Sequence, residues 1–250
     1  MHTKRPGWWV GLVLAAAVLM SAAKCGGGDP PPPPARTPTQ YVVAVDLSSS
    51  LTPTERENHE KLLRALVKEL DFGDQLVLMK AHAAGIRDTS TARTVSMPVL
   101  TGSQPLKREQ DELDLQRDLA DRYVASLFKT APVNGTDLFA TLHTAGEQMG
   151  TGTGARKVLV VLSDMLQCTA DVCMERPARL RDSAWVAGQK AAGVVPTLSD
   201  VCVSVVGADD STVHGVRVRD FWRHYFQAAD ASFSPTRYMH NAPSPAALRC

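Results

Sequence analysis

Two segments, YVVAVD at 41–46 and VLVVLSD at 158–164, are apolar almost throughout and stop on an aspartate. A strand with one wet face alternates apolar and polar residues, so a continuous apolar run must be covered on both faces, as in a parallel sheet. QLVLMKA (75–81) and VCVSVVG (201–207) read the same way, TARTVSMPVL (91–100) reads as a more exposed strand, and SFSPTRYM (232–239) as an edge strand. Between them lie stretches with helical periodicity. In LTPTERENHEKLLRALVKEL (51–70), Thr52 can cap, Pro53 suits the first turn, and Glu55 completes a capping box ahead of the stripe Leu62, Leu63, Leu66, Val67 and Leu70. Further helices are predicted over 106–129, with Leu115, Leu119, Tyr123 and Leu127 every four residues; within 133–149, where a loop runs into a helix with Leu138, Leu142, Ala145 and Met149 inward; over 175–193; and over 216–231. In the last, Phe221, Trp222, Tyr225 and Phe226 form a core stripe. Strands alternating with amphipathic helices define an α/β fold with a doubly wound, mostly parallel central sheet flanked by helices. Ligands of such a sheet sit beyond the C-terminal ends of its strands, which is where Asp46 and Asp164 fall.

The chain ahead of residue 41 is of another kind. Lys4 and Arg5 precede the apolar run WWVGLVLAAAVLMSAA (8–23), which has the character of a secretory signal; Ser21 and Ala23 place small residues for cleavage after Ala23. An uncleaved membrane anchor is the alternative for 1–23. Cys25 raises lipidation, against which Lys24 stands in a position that a lipoprotein box fills with a small residue. Residues 24–40 contain the proline run 30–34 and form a semi-stiff polyproline II spacer of roughly 3 Å per residue. The folded domain is therefore expected over 41–250, about 210 residues and enough for one large core. Exported, secreted, periplasmic or envelope-associated, such a chain keeps disulfides; the economical pairing of the five cysteines is Cys168–Cys173 and Cys202–Cys250, with zinc as the rival use of these sulfurs. With Lys+Arg at 27 and Asp+Glu at 26 and no basic tract in the domain, no nucleic-acid face is expected. The glycine-rich GTGTGARK (150–157) precedes a strand instead of following one and lacks P-loop spacing, so it reads as a turn.

Three stretches converge on the expected rim: D-x-S-x-S at 46–50, NGTD at 134–137, and LSD ending at Asp164. Asp46 and Asp164 offer charge while Ser48, Ser50 and Thr136 offer neutral oxygens, a set suited to a hard divalent cation that keeps part of its water shell. Softer ligands are absent from all three. These stretches, with GTDLFATL (135–142) opening a helix, resemble the von Willebrand factor type A domain and its metal-ion-dependent adhesion site, over about residues 41–240. The resemblance implies Mg²⁺, with Mn²⁺ or Ca²⁺ as substitutes, held by Asp46, Ser48, Ser50, Thr136 and Asp164. It also implies a protein partner presenting an acidic side chain to the ion. In that family at least one aspartate acts through water, and Asp46 and Asp164 orient the hydroxyls. The family continues S-D-G where this chain has Met165.

Several residues have plainer readings. Asp137 suits the start of a helix, where it satisfies free N–H groups, and Asn134 suits an Asn-Gly turn. His59 borders the packed stripe; His82, His143, His214, His224 and His240 follow no ligand spacing; Asp209 and Asp210 read as a turn. No base accompanies Ser48 or Ser50, and the second acid of a phosphoaspartyl hydrolase is replaced by Ser48, so no catalytic activity is expected. A protein-binding adhesion or scaffold module is therefore expected, with a metal-free structural protein, and further off a metal-dependent phosphohydrolase, as alternatives. Two aspartates at one rim should repel when metal-free, so loss of Asp46 is expected to leave the fold intact or slightly stabilised.

Overall fold

The computed structural model describes residues 36–81, 92–132, 135–150, 155–169 and 171–250. The leader, Cys25, the proline run, His82 and Asn134 lie outside the described residues, as do four positions of the glycine-rich stretch. The chain order is β1 (Thr39–Asp46), α1 (Pro53–Glu69), β2 (Gln75–Ala81), β3 (Arg93–Ser96), α2 (Lys107–Phe128), α3 (Leu138–Gly150), β4 (Arg156–Leu162), α4 (Ser183–Ala191), β5 (Val201–Val206), α5 (Val213–Ala228) and β6 (Tyr238–Met239). One six-stranded sheet runs β3-β2-β1-β4-β5-β6, parallel except for the antiparallel edge strand β3. The doubly wound α/β expectation holds. In this order the winding reverses between β1 and β4, and the crevice beyond their C-terminal ends is the topological switch point.

β1 is buried at every position and sends alternate residues to opposite faces: Val42 joins one core, Tyr41, Val43 and Val45 the other. The face under α1 and α2 is mainly aliphatic. The face under α3, α4 and α5 holds an aromatic cluster in which Phe139 lies 5.5 Å from Trp222 and 5.4 Å from Tyr225 between ring centroids. The aromatic stripe of α5 is core, as its spacing predicts.

Local chemistry explains the elements and their departures from expectation. Thr52 and Glu55 form the predicted capping box of α1. β1 begins at Thr39, two residues before Tyr41, where it pairs with Arg156 of β4 while the Thr39 amide donates to Asp74 Oδ1 at 2.8 Å. α2 buries Leu113, Ala120, Val124 and Leu127 while Leu115 is exposed. A strict four-residue repeat drifts by about 40° per step on an α-helix, so Leu115 and Leu127 cannot share a face. α4 starts at Ser183, capped by Asp182; upstream, Pro177–Arg179 forms a separate turn whose Arg179 carbonyl accepts from the Cys173 amide. Both expected disulfides are present. Cys168–Cys173 closes the loop after β4, and Cys202–Cys250 ties the C-terminal tail to the start of β5, which removes the zinc rival at these sulfurs. Among the described residues no helix is long and apolar enough to cross a membrane.

Candidate metal centre

β1 and β4 are adjacent, in register from Thr39↔Arg156 to Val45↔Leu162, so Asp46 and Ser163 emerge side by side at the switch point. Asp46 is fully buried and saturated with donors. Its Oδ1 accepts from the Ser48 amide at 2.8 Å and the Thr136 hydroxyl at 2.9 Å, and its Oδ2 accepts from the Ser163 hydroxyl at 2.7 Å. Ser48 Oγ and Ser50 Oγ stand 2.8 Å apart, and the Ser50 hydroxyl bonds to the Asp164 carboxylate. Asp164 Oδ1 also accepts from the Leu166 amide at 2.9 Å. Burial pushes the Asp164 carboxyl above the usual carboxylate range, against the pull of those two hydrogen bonds, and the charge of Asp46 adds to the rise.

All five residues expected from sequence therefore meet in one hydrogen-bonded set: Thr136 and the Ser48 amide on Asp46, and Ser48 through Ser50 to Asp164. The set fits a hard divalent cation by its chemistry, being all oxygen with only two carboxylates. Asp46 has its oxygens committed to Ser48, Thr136 and Ser163, which suits it to aiming hydroxyls, while Ser48, Ser50, Thr136 and Asp164 would hold the ion.

The supports of the site come from residues that sequence spacing does not reveal. Ser163 donates to Asp46 and accepts from the Met165 amide at 3.0 Å. Met165, where the resembled family has glycine, takes the left-handed conformation (φ 63°), with its side chain buried and its carbonyl bonded to the Trp222 indole at 3.0 Å. Gln167 Oε1 accepts from the Leu138 and Phe139 amides at 2.7 and 3.2 Å, capping the helix that follows Thr136. Asp137 caps the same helix through the Ala140 amide at 3.0 Å, the plain role expected of it. Gly135 has φ 80°, as the turn ahead of Thr136 requires.

His59 corrects its sequence reading: it is no boundary residue but is 2 % exposed. Its ring lies against the Val206 carbonyl, which accepts from the Ser163 amide at 2.9 Å, and its Nδ1 is buried without a hydrogen-bond partner among the described residues. It packs on Gly207 (φ 107°) so closely that an added Cβ there would meet Nε2 at 2.6 Å. Burial lowers the His59 pKa to about 4, keeping the ring neutral near pH 7. Asp209 and Asp210 behave as a turn, accepting from the Ser211 amide and pairing with Arg219. Cys168 and Cys173 lie near Glu175, but joined as a disulfide they offer no thiolate.

No family model matches the sequence, and no curated protein matches it. Solved structures do show similarity. An aerotolerance-related membrane protein of Bacteroides fragilis aligns at 13% identity and TM-score 0.46, over 84% of this chain and 94% of that one. The pilus adhesin SpaC of Lactobacillus rhamnosus GG aligns at 14% and 0.44, over 85% of this chain and 29% of that one. A von Willebrand factor type A protein of Catenulispora acidiphila aligns at 14% and 0.40, over 77% and 43%. At these values the likenesses carry nothing about site, ligand or partner.

Proposed function

We propose that this chain is an exported, tethered binding module of the von Willebrand factor type A kind, without catalytic activity, that holds a divalent cation at the β1/β4 rim. The observation that carries the reading is the convergence of Asp46, Ser48, Ser50, Thr136 and Asp164, from three loops distant in sequence, into one rim cluster of oxygens at the switch point. Mg²⁺ is the favoured ion, because the donors are hard and only two are charged. When bound, the ion supplies an electrophilic position for an anionic oxygen. With few negative ligands from its own chain, the site suits an acidic side chain of a partner protein. The residues themselves bind and aim: Asp46 fixes Thr136 and the Ser48 backbone, and Ser50 steers Asp164.

Titration calorimetry with Mg²⁺, Mn²⁺ and Ca²⁺ on the wild type and on Asp164→Asn tests the reading. Binding by the wild type and its loss in the variant are expected; no binding of any of the three ions by the wild type overturns it. Pull-down from envelope extract with Mg²⁺ or with EDTA then tests the partner contact, and capture indifferent to EDTA places that contact away from the ion.

A further inference from the structure

Beside the metal centre, and sharing none of its five residues, lies an open cleft of about 470 Å³ between α3, α4 and the Cys168–Cys173 loop. Phe139 and Trp185 line it with aromatic rings, their centroids 5.9 Å apart and inclined at 43°. Asp137 stands on the α3 side and Asp171 on the disulfide loop, and among the described residues no lysine or arginine lines the cleft. Among the described residues neither carboxylate takes part in an ion pair. Asp137 Oδ1 serves the Ala140 amide at 3.0 Å and faces Gln167 Nε2 at 3.5 Å. The neighbouring Arg181 bonds the Asp171 main-chain carbonyl at 2.7 Å and is not part of the lining. His143, also in the lining, lies 3.9 Å from Glu147 on the same helix.

Aromatic faces flanked by two carboxylates are complementary to a cation with an apolar stem. We propose that this cleft receives an arginine side chain of a partner protein. A planar guanidinium stacks on an aromatic ring and keeps edge donors free for carboxylates on either side, which the compact ammonium of lysine does not do. The inference goes beyond the metal reading and does not depend on it.

The test uses the full chain and small probes. Titrated with N-acetyl-arginine-N-methylamide, the Trp185 indole signal in a ¹H–¹⁵N spectrum, assigned with Trp185→Phe, should shift saturably. The Trp222 indole, held by the Met165 carbonyl, should not. The citrulline analogue, which keeps the shape and lacks the charge, should bind roughly tenfold more weakly. Asp171→Asn, a change at an exposed loop position, should weaken the arginine probe several-fold, and EDTA should change nothing. Equal affinity for the citrulline or lysine analogue, an unmoved Trp185 indole, or full affinity in Asp171→Asn would each overturn the assignment. Because the arginine probe is read with and without metal, failure here and failure of the metal centre are separate results.

Discussion

Asp46 and Asp164 follow neighbouring strands at one rim, yet they are built differently. Asp46 is wholly buried and takes three hydrogen bonds from Ser48, Thr136 and Ser163. Behind it, the Val206 carbonyl joins Ser163 to His59, and His59 rests on Gly207. Asp164 is partly exposed and, among the described residues, takes hydrogen bonds from Ser50 and the Leu166 amide, with its ionised form disfavoured by burial. The same residue type thus serves at one strand end as a structural anchor and stands at the next partly exposed, its charged form disfavoured by burial. Neither role is visible from the residue's position after its strand.

The largest effect is expected at the anchor. Asp46→Ala strands the Thr136 and Ser163 hydroxyls and the Ser48 amide, and each buried unpaired donor costs about 1–3 kcal/mol. Denaturant unfolding of the metal-free chain should show a loss of at least about 3 kcal/mol. Like-charge repulsion alone gives the opposite outcome, loss of Asp46 being neutral or stabilising, and the unfolding measurement decides between the two. An unchanged midpoint would return Asp46 to equivalence with its neighbour.

Acid should separate the two aspartates next. His59 titrates near 6.5 unfolded and at about 4 folded, so the unfolded chain binds more protons between those values. Its contribution is present above pH 6.5 and is lost as pH falls toward 4, worth about 3 kcal/mol across the window at 1.36 kcal/mol per unit. His59→Gln should flatten this limb of the stability–pH curve; an identical acid limb in the variant removes His59 from the anchor. Gly207→Ala should cost about 2 kcal/mol through its positive φ and the close approach of the ring. It should also weaken Mg²⁺ binding through Ser163, whereas a purely local strain would leave the ion unaffected. The smallest change in stability is expected for Asp164→Asn: the metal-free chain should unfold within about 0.5 kcal/mol of wild type, while divalent binding disappears.

What sequence makes legible here follows the range of the interaction. Asp46 and Asp164 are placed by the apolar strands they end, and Ser48 and Ser50 by their spacing in one loop, whereas Thr136, ahead of a helix, joins them through the family resemblance. Ser163, Gln167 and His59 act across the fold, from a strand end, a disulfide loop and a helix face, and no local pattern marks them. The α2 stripe was misplaced for a related reason. A repeat of four is nearly helical, and only packing against β2 and α1 decides which of the drifting positions faces inward. Met165 shows the reverse: its departure from glycine is obvious in sequence, but its compensation, a buried side chain and the Trp222 bond, exists only in three dimensions.

β1 connects the spacer to the candidate site in a single straight span, from Thr39 to Asp46, hydrogen-bonded along its length to β2 on one side and β4 on the other. A pull on a partner held at the rim, resisted at the spacer, would run lengthwise down this strand. Its two ladders would then be loaded in shear, with many bonds sharing the force, instead of being unzipped one rung at a time. If the proposed partner binds at the rim and the spacer carries the load, the central place of the first strand makes shear, and not unzipping, the mode of loading.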